Sequence, residues 1–186
     1  MFFRPSLDTS SKAIVEEWNS ESNLRGTLPN VEEIWKYNND TDLYQRKKRG
    51  RIRGEIERDH VLEIQICNKA FDTMEGTKTR GQHEMLKGVI NSLNNTNNTT
   101  RIINQKKKGP FQRWINNYDT SDKREVGRLA RESCYELVEN GTWGRIEETM
   151  VTAYDKVNDS LKDEPNTAKY MEHLHEMFDK MGIFDL

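Results

Sequence analysis

The chain has very little cysteine and no long apolar run, and both shortages narrow the class of protein. Its 186 residues include only Cys67 and Cys134, too few for a disulfide framework and without the paired spacing of a zinc finger. Hydrophobic residues make up 33%, and no stretch approaches the roughly 20 apolar residues of a membrane span. An arginine and a proline interrupt the opening Met1-Phe2-Phe3-Arg4-Pro5 before a signal-peptide core forms. We therefore expect an intracellular protein, cytoplasmic or nuclear, with a modest core and reduced cysteines.

Positive charge is concentrated in the middle of the chain, although the net charge is only −2. Residues 46–124 hold 18 Lys and Arg against 9 Asp and Glu, whereas the rest of the chain holds 11 against 22. This asymmetry favours a basic surface for a polyanion, flanked by acidic segments that aid solubility or dock a protein partner. Two other interpretations stay open: a solvated basic loop, and a nuclear import signal at residues 46–53.

Periodicity predicts a mainly α (α+β) protein with a small central β-hairpin and C-terminal helices. Alternation over residues 51–57 predicts a strand. Residues 61–71 fit a strand or a helix, and their length favours a helix. Further helices are predicted at 12–18, 31–37, 83–93, after Gly109-Pro110, from Ser121 to about Glu139, at roughly 143–162, and from Pro165 to Gly182.

Two stretches between these elements are rich in polar residues. Residues 94–100 are all Asn or Thr, which predicts turns because these side chains hydrogen-bond to nearby backbone. Residues 101–108 fit a short helix or a strand-to-helix step that ends at Gly109-Pro110. The predicted organisation is an N-terminal helical segment (1–45), a basic central unit (46–120) and acidic C-terminal helices (121–186), within one compact domain.

The residue types at 59–63 and 95–108 suit the hydrolysis of a phosphodiester bond. Neutral histidine titrates near neutral pH, so His60 is the candidate general base. Asp59 offers a carboxylate to a hard divalent ion, Mg²⁺ or alternatively Mn²⁺. A helix beginning at His60 would also place Glu63 on the same face, as a further metal ligand or base. Basic residues would hold the phosphate backbone: Arg46, Lys47, Lys48, Arg49, Arg51, Arg53, Lys106, Lys107 and Lys108.

These motifs resemble those of the HNH endonucleases. The first motif is Asp59-His60-Val61, and the second is Asn95 followed, nine residues later, by Asn104-Gln105-Lys106-Lys107. The resemblance covers about residues 51–110 and implies a ββα-metal unit. Asn104 stands where the family commonly has histidine, the usual proline after the first motif is replaced by Leu62-Glu63, and the helix at 83–93 would be an insertion.

The resemblance implies roles for individual residues. His60 would be the general base, Asp59 the first metal ligand and Asn104 the second, while the Asn95 region would orient the imidazole. The interpretation without catalysis is that Asp59-His60 is a helix cap followed by a surface histidine.

The sequence thus leads to three hypotheses about function. The first is a metal-dependent endonuclease acting on DNA or RNA. The second is a helical module that binds nucleic acid without cleaving it. The third is an interaction protein that recognises a partner through its acidic C-terminal helices.

Overall fold

The computed structural model describes residues 23–117, 125–164 and 167–184. This part of the chain contains eight α-helices and two antiparallel strand pairs, which confirms the predicted mainly α (α+β) class. The helices are α1 (Val31–Tyr37), α2 (Ile64–Thr73), α3 (Arg80–Ile90), α4 (Arg101–Asn116), α5 (Val126–Ser133), α6 (Tyr135–Glu139), α7 (Thr142–Leu161) and α8 (Ala168–Lys180). The strands are β1 (Thr41–Asp42), β2 (Lys47–Lys48), β3 (Ile56–His60) and β4 (Thr96–Thr100). Among these described residues, no helix combines the length and apolar character needed to cross a membrane.

A strand–strand–helix unit lies at the centre of the fold. β3 pairs with β4 in antiparallel register, with Asp59 opposite Asn97 and His60 opposite Thr96, and α4 follows β4 directly. The strand predicted at 51–57 is real but displaced, because residues 49–51 form a 3₁₀ turn and pairing begins only at Ile56. The displacement moves His60 to the last position of β3.

Local sequence signals explain several helices. Asn30 and Glu33 form a reciprocal capping box at the start of α1, and the Thr79 side chain caps α3. The helical interpretation of 61–71 is confirmed, but α2 begins only at Ile64, with Glu63 as its N-cap residue. His60 belongs to β3, so the expectation that His60 and Glu63 share a helix face is wrong.

The polar tract 94–100 contains a buried strand, so the prediction of turns there is wrong beyond a short 3₁₀ turn at 93–95. β4 consists of Asn and Thr only, yet all five of its residues are buried. The Asp42 carboxylate accepts hydrogen bonds from Asn97 and Thr99, and the Asn98 carboxamide donates to the Val31 carbonyl. Buried polar groups are tolerated when they are paired, and the β1 hairpin and α1 supply partners for Asn97, Thr99 and the Asn98 amide nitrogen, whereas Asn98 Oδ1 is buried without one.

Helix α4 runs unbroken through Pro110, so the predicted stop at Gly109-Pro110 is also wrong. Proline has no N–H to donate one turn back, to the carbonyl of Lys106. Gly109 has no Cβ, which removes part of the clash that disfavours helical backbone before a proline. Beyond the proline, Phe111 is fully buried and stacks on Trp143 with ring centroids 5.8 Å apart. This packing holds the second half of the helix against α7.

The C-terminal helices follow the prediction with one interruption. The helix expected to run to Glu139 is divided at Cys134, whose backbone leaves the helical region and separates α5 from α6. α7 agrees with the predicted 143–162 within one residue at each end, and α8 ends before Gly182 as expected. The helix predicted at 12–18, Ser121 and Pro165 lie outside the described residues. One continuous hydrophobic core joins residues from Leu24 to Ile183.

Candidate functional site

A polar cavity of about 370 Å³ opens at the end of β3. Its walls come from β3, from the start of α2, from α4 and from the extended segment 25–28. The side chains in it that carry chemistry are Arg58, Asp59, His60, Glu63 and Lys108, together with Arg25. The fold thus gathers an imidazole, two carboxylates and three cationic side chains around one space.

The His60 imidazole is held by a carboxamide that the sequence motifs did not single out. His60 Nε2 lies 2.8 Å from Asn91 Oδ1. The Asn91 amide nitrogen donates to the carbonyls of Leu24 and Lys87, at 2.7 and 2.6 Å, so the oxygen is the atom that faces the histidine. An oxygen can only accept, and His60 Nε2 must therefore carry the proton. In the neutral ring this leaves the lone pair on Nδ1.

Burial reinforces the neutral state of this histidine. His60 is only 7% exposed, and desolvation lowers its pKa although Asn91 and Asp59 act in the opposite direction. None of the described residues hydrogen-bonds to Nδ1, and His60 lines the cavity. A neutral imidazole with its lone pair on a known atom is the state that a general base requires.

Gly26 is part of the same support. Its backbone N–H donates to Asn91 Oδ1 at 2.9 Å, beside the contact to His60. A Cβ at this position would lie 2.9 Å from Asn91 Nδ2, closer than real Cβ atoms approach another group. Three hydrogen bonds fix the Asn91 carboxamide: one from the Gly26 N–H and two to the carbonyls of Leu24 and Lys87. It cannot move aside without breaking them. A glycine is therefore needed where this segment crosses Asn91.

Behind the cavity, the ammonium of Lys107 is buried among oxygen atoms. Its Nζ lies 2.5 Å from Asp59 Oδ2, 2.6 Å from the His60 carbonyl, and 3.0 Å from both the Tyr44 hydroxyl and Glu63 Oε1. Burial pulls the pKa of Lys107 down, but Asp59 and Glu63 outweigh this and raise it overall. Burial also raises the pKa of Glu63, with Lys107 opposing. Lys107 is therefore a charged group inside the protein.

The structure places Asn95 and Asn104 in positions that differ from the expected ones. Asn95 does not orient the imidazole; its Oδ1 accepts the Leu62 N–H at 2.6 Å and its amide donates to the Ile90 carbonyl at 2.9 Å. Asn104 donates to Glu57 Oε2 at 2.9 Å and is not among the cavity residues. Helix α4 runs along β3. Asn104 contacts Glu57, and Lys107, three residues further along the helix, contacts Asp59. Asn104, the expected second metal ligand, thus lies beside Glu57, two residues before Asp59 on β3, and not beside Asp59.

The nine basic residues predicted to hold phosphate are distributed among different environments. Three lie at the surface in ion pairs: Arg46 with Glu148, Arg49 with Glu32, and Lys106 with Glu136. Three are exposed, with no acidic group within 4 Å in the described part of the chain: Lys47, Arg51 and Arg53. Lys48 donates to the Asn39 carbonyl at 2.6 Å. Lys108 lines the cavity. Lys107 is fully buried, so the expectation that it holds phosphate is wrong.

Two arginines at the cavity, Arg25 and Arg58, were not among the candidate residues predicted from the sequence. Arg58 precedes the Asp59-His60 pair and is exposed, and its guanidinium donates to the Leu28 and Pro29 carbonyls at 3.1 and 3.2 Å. Arg25 comes from a segment remote in sequence. The alternation of β3 could have indicated Arg58, but no local pattern indicates Arg25 or Asn91.

The donors available to a metal ion are the Asp59 and Glu63 carboxylates. Within residues 23–117, 125–164 and 167–184, no cluster of three or more His, Cys, Asp and Glu side chains has metal-binding geometry. Asp59 Oδ1 and Glu63 Oε2 accept no hydrogen bond from described residues, and both residues line the cavity. Mg²⁺ is commonly bound through one or two carboxylates, with waters and substrate phosphate completing the shell. The donor set therefore fits one such ion.

A larger cavity of about 590 Å³ lies between α7 and α8. Tyr154, Met171 and His175 contribute to its walls, together with several glutamates. None of the predicted site residues reaches it, so its size alone does not make it the candidate site.

A scan against protein-family models and searches among curated proteins and solved structures give no match to this chain. The chemistry of the β3 cavity is therefore the basis for assigning a function.

Proposed function

We propose that the protein is a metal-dependent nuclease that hydrolyses phosphodiester bonds of DNA or RNA at the β3 cavity, with His60 as the general base. The observation that carries the proposal is the His60–Asn91 contact. It leaves the Nδ1 lone pair as the proton acceptor of a neutral imidazole in a cavity lined by cations. The HNH-like motif Asp59-His60-Val61 at the end of a paired strand supports the same proposal.

The residues of the cavity divide the reaction between them. His60 Nδ1 takes a proton from the attacking water, and the Nε2–H bond to Asn91 keeps the ring in place as charge develops. Arg25, Arg58 and Lys108 hold the phosphate, because their positive charges face the same space. Asp59 and Glu63 would hold a divalent ion, whose contribution is Lewis-acid stabilisation of charge on the phosphate.

A cleavage assay tests the proposal. Purified protein is incubated with labelled single- and double-stranded DNA and RNA, with Mg²⁺, with Mn²⁺ or with a chelator. We expect cleavage of at least one substrate that requires metal and falls with both His60→Ala and Asp59→Asn. Variants purified in parallel control for contaminating nucleases. Equal inactivity of the wild type and both variants on every substrate would refute the enzyme function.

A second candidate is a nucleic-acid-binding module without catalysis, and the Lys107 contacts favour it. An ammonium that already pairs with Asp59 and Glu63 offsets the charge that would attract a metal ion. This alternative predicts binding that weakens steeply with salt and is unaffected by chelator or by His60→Ala. Lys108→Ala should then weaken binding while cleavage stays absent with every metal.

A further inference from the structure

The surroundings of Lys107 are those of a bound cation. Four oxygens lie 2.5–3.0 Å from Nζ, and they come from β3, from the N-cap of α2 and from Tyr44 in the hairpin. The lysine is 0% exposed, as is Tyr44, so bulk solvent does not reach this shell. The ammonium thus joins β3, the start of α2 and the β1–β2 hairpin.

The ammonium has fewer protons than there are oxygens around it. An ammonium has three protons, and the three hydrogen bonds go to Asp59, the His60 carbonyl and the Tyr44 hydroxyl. Glu63 Oε1 receives no hydrogen bond, although it lies 3.0 Å from Nζ. Glu63 forms a salt bridge with Lys107 in addition to the three hydrogen bonds, and another cation could supply the same positive charge.

We propose that Lys107 is a resident cation that holds Asp59 and Glu63 in position before any metal binds. It occupies the inner oxygens, Asp59 Oδ2 and Glu63 Oε1, and leaves the outer oxygens of the same carboxylates to the cavity. The catalytic consequence rests on the proposed nuclease function, but the positions of the carboxylates and their response to cations do not.

Replacing the ammonium by a neutral chain of similar shape tests this directly. Lys107→Met leaves two buried carboxylates without their counter-charge, and breaking a buried pair in this way is destabilising. If the oxygens form a cation shell, a divalent ion can take the vacated place. We expect Lys107→Met to unfold at a lower temperature than the wild type in chelator, and to be stabilised by Mn²⁺ or Ca²⁺ much more than the wild type is. Its affinity for Mn²⁺, measured by electron paramagnetic resonance of the free ion, should be at least about tenfold higher.

The double variant Asp59→Asn/Lys107→Met is the control, since it removes one charge of each sign. In chelator it should unfold at a higher temperature than Lys107→Met, because only one carboxylate is left without a counter-charge, and it should lose the additional metal response. Equal metal-induced shifts in Lys107→Met and the wild type would overturn the proposal, and so would a Lys107→Met protein that remains unfolded at every metal concentration. Neither readout uses cleavage, so an inactive protein with the expected metal response would refute the proposed function and leave this inference standing.

Discussion

Substitution of Asn95 gives a quantitative test of the hydrogen bonds that support the cavity. Its carboxamide is completely buried and bridges α3 to the turn after β3, through the Leu62 N–H and the Ile90 carbonyl. Asn95→Ala removes these two short buried hydrogen bonds, each worth about 1 kcal/mol, together with a longer one to the Leu62 carbonyl at 3.5 Å, and leaves a buried N–H unpaired at about 1–3 kcal/mol. The expected loss is about 4 kcal/mol, a large part of the roughly 5–15 kcal/mol that stabilises a domain.

Chemical denaturation followed by tryptophan fluorescence measures this loss. The matched control is Asn94→Ala, since the neighbouring side chain also makes two hydrogen bonds, to Tyr37 and Ser160, but at the exposed surface. We expect Asn94→Ala to cost less than about 1 kcal/mol, because water replaces an exposed partner. A loss below about 1 kcal/mol for Asn95→Ala, or equal losses for the two variants, would refute the reasoning.

Three further predictions concern catalysis, binding and pH. Asn91→Ala frees the His60 ring and should lower kcat by about 10- to 100-fold with a smaller change in KM; steady-state kinetics with an unchanged kcat would exclude the positioning role. Lys108→Ala should lower the slope of log affinity against log salt by about 1, whereas Lys106→Ala, outside the cavity, should not; equal slopes in filter-binding titrations would contradict this. Burial raises the pKa of Glu147 in the folded protein, so the folded state holds this proton more tightly and stability falls as pH rises from the ordinary range of a glutamate through the raised pKa. Glu147→Gln keeps an oxygen for the Trp143 N–H and should therefore be more stable than the wild type at pH 7 but not at pH 4; a difference independent of pH in thermal melts would contradict the linkage.

The helices were predictable where local signals and tertiary packing agree. Asn30 and Glu33 indicate the start of α1, because a capping box is formed by residues three apart and needs no distant partner. The strand β4 could not be predicted in the same way. Its Asn and Thr side chains favour turns locally, and only Asp42 and α1, which are remote in sequence, provide the partners that make a buried polar strand stable.

The candidate site shows the same division. The Asp59-His60 pair could be predicted as a candidate site from the sequence, because the two residues are adjacent and their side chains are chemically distinctive. The carboxamide opposite His60 turned out to be Asn91 and not Asn95, since the position depends on how α3 packs against β3. Similarly, the phase of α4 along β3 brings Lys107 to Asp59 and Asn104 to Glu57. A shift of three residues along a helix is not visible in the sequence, but it places Lys107 beside Asp59 where Asn104 was expected.

The most direct test of the account is the single-turnover cleavage rate of His60→Ala relative to the wild type, measured with and without added imidazole. Removal of a general base should lower the rate by about 10²–10⁴-fold. Because the missing group is an imidazole acting at a cavity open to small molecules, free imidazole should restore part of the rate in the variant and leave the wild type unchanged. A His60→Ala protein that cleaves at the wild-type rate would contradict the central claim.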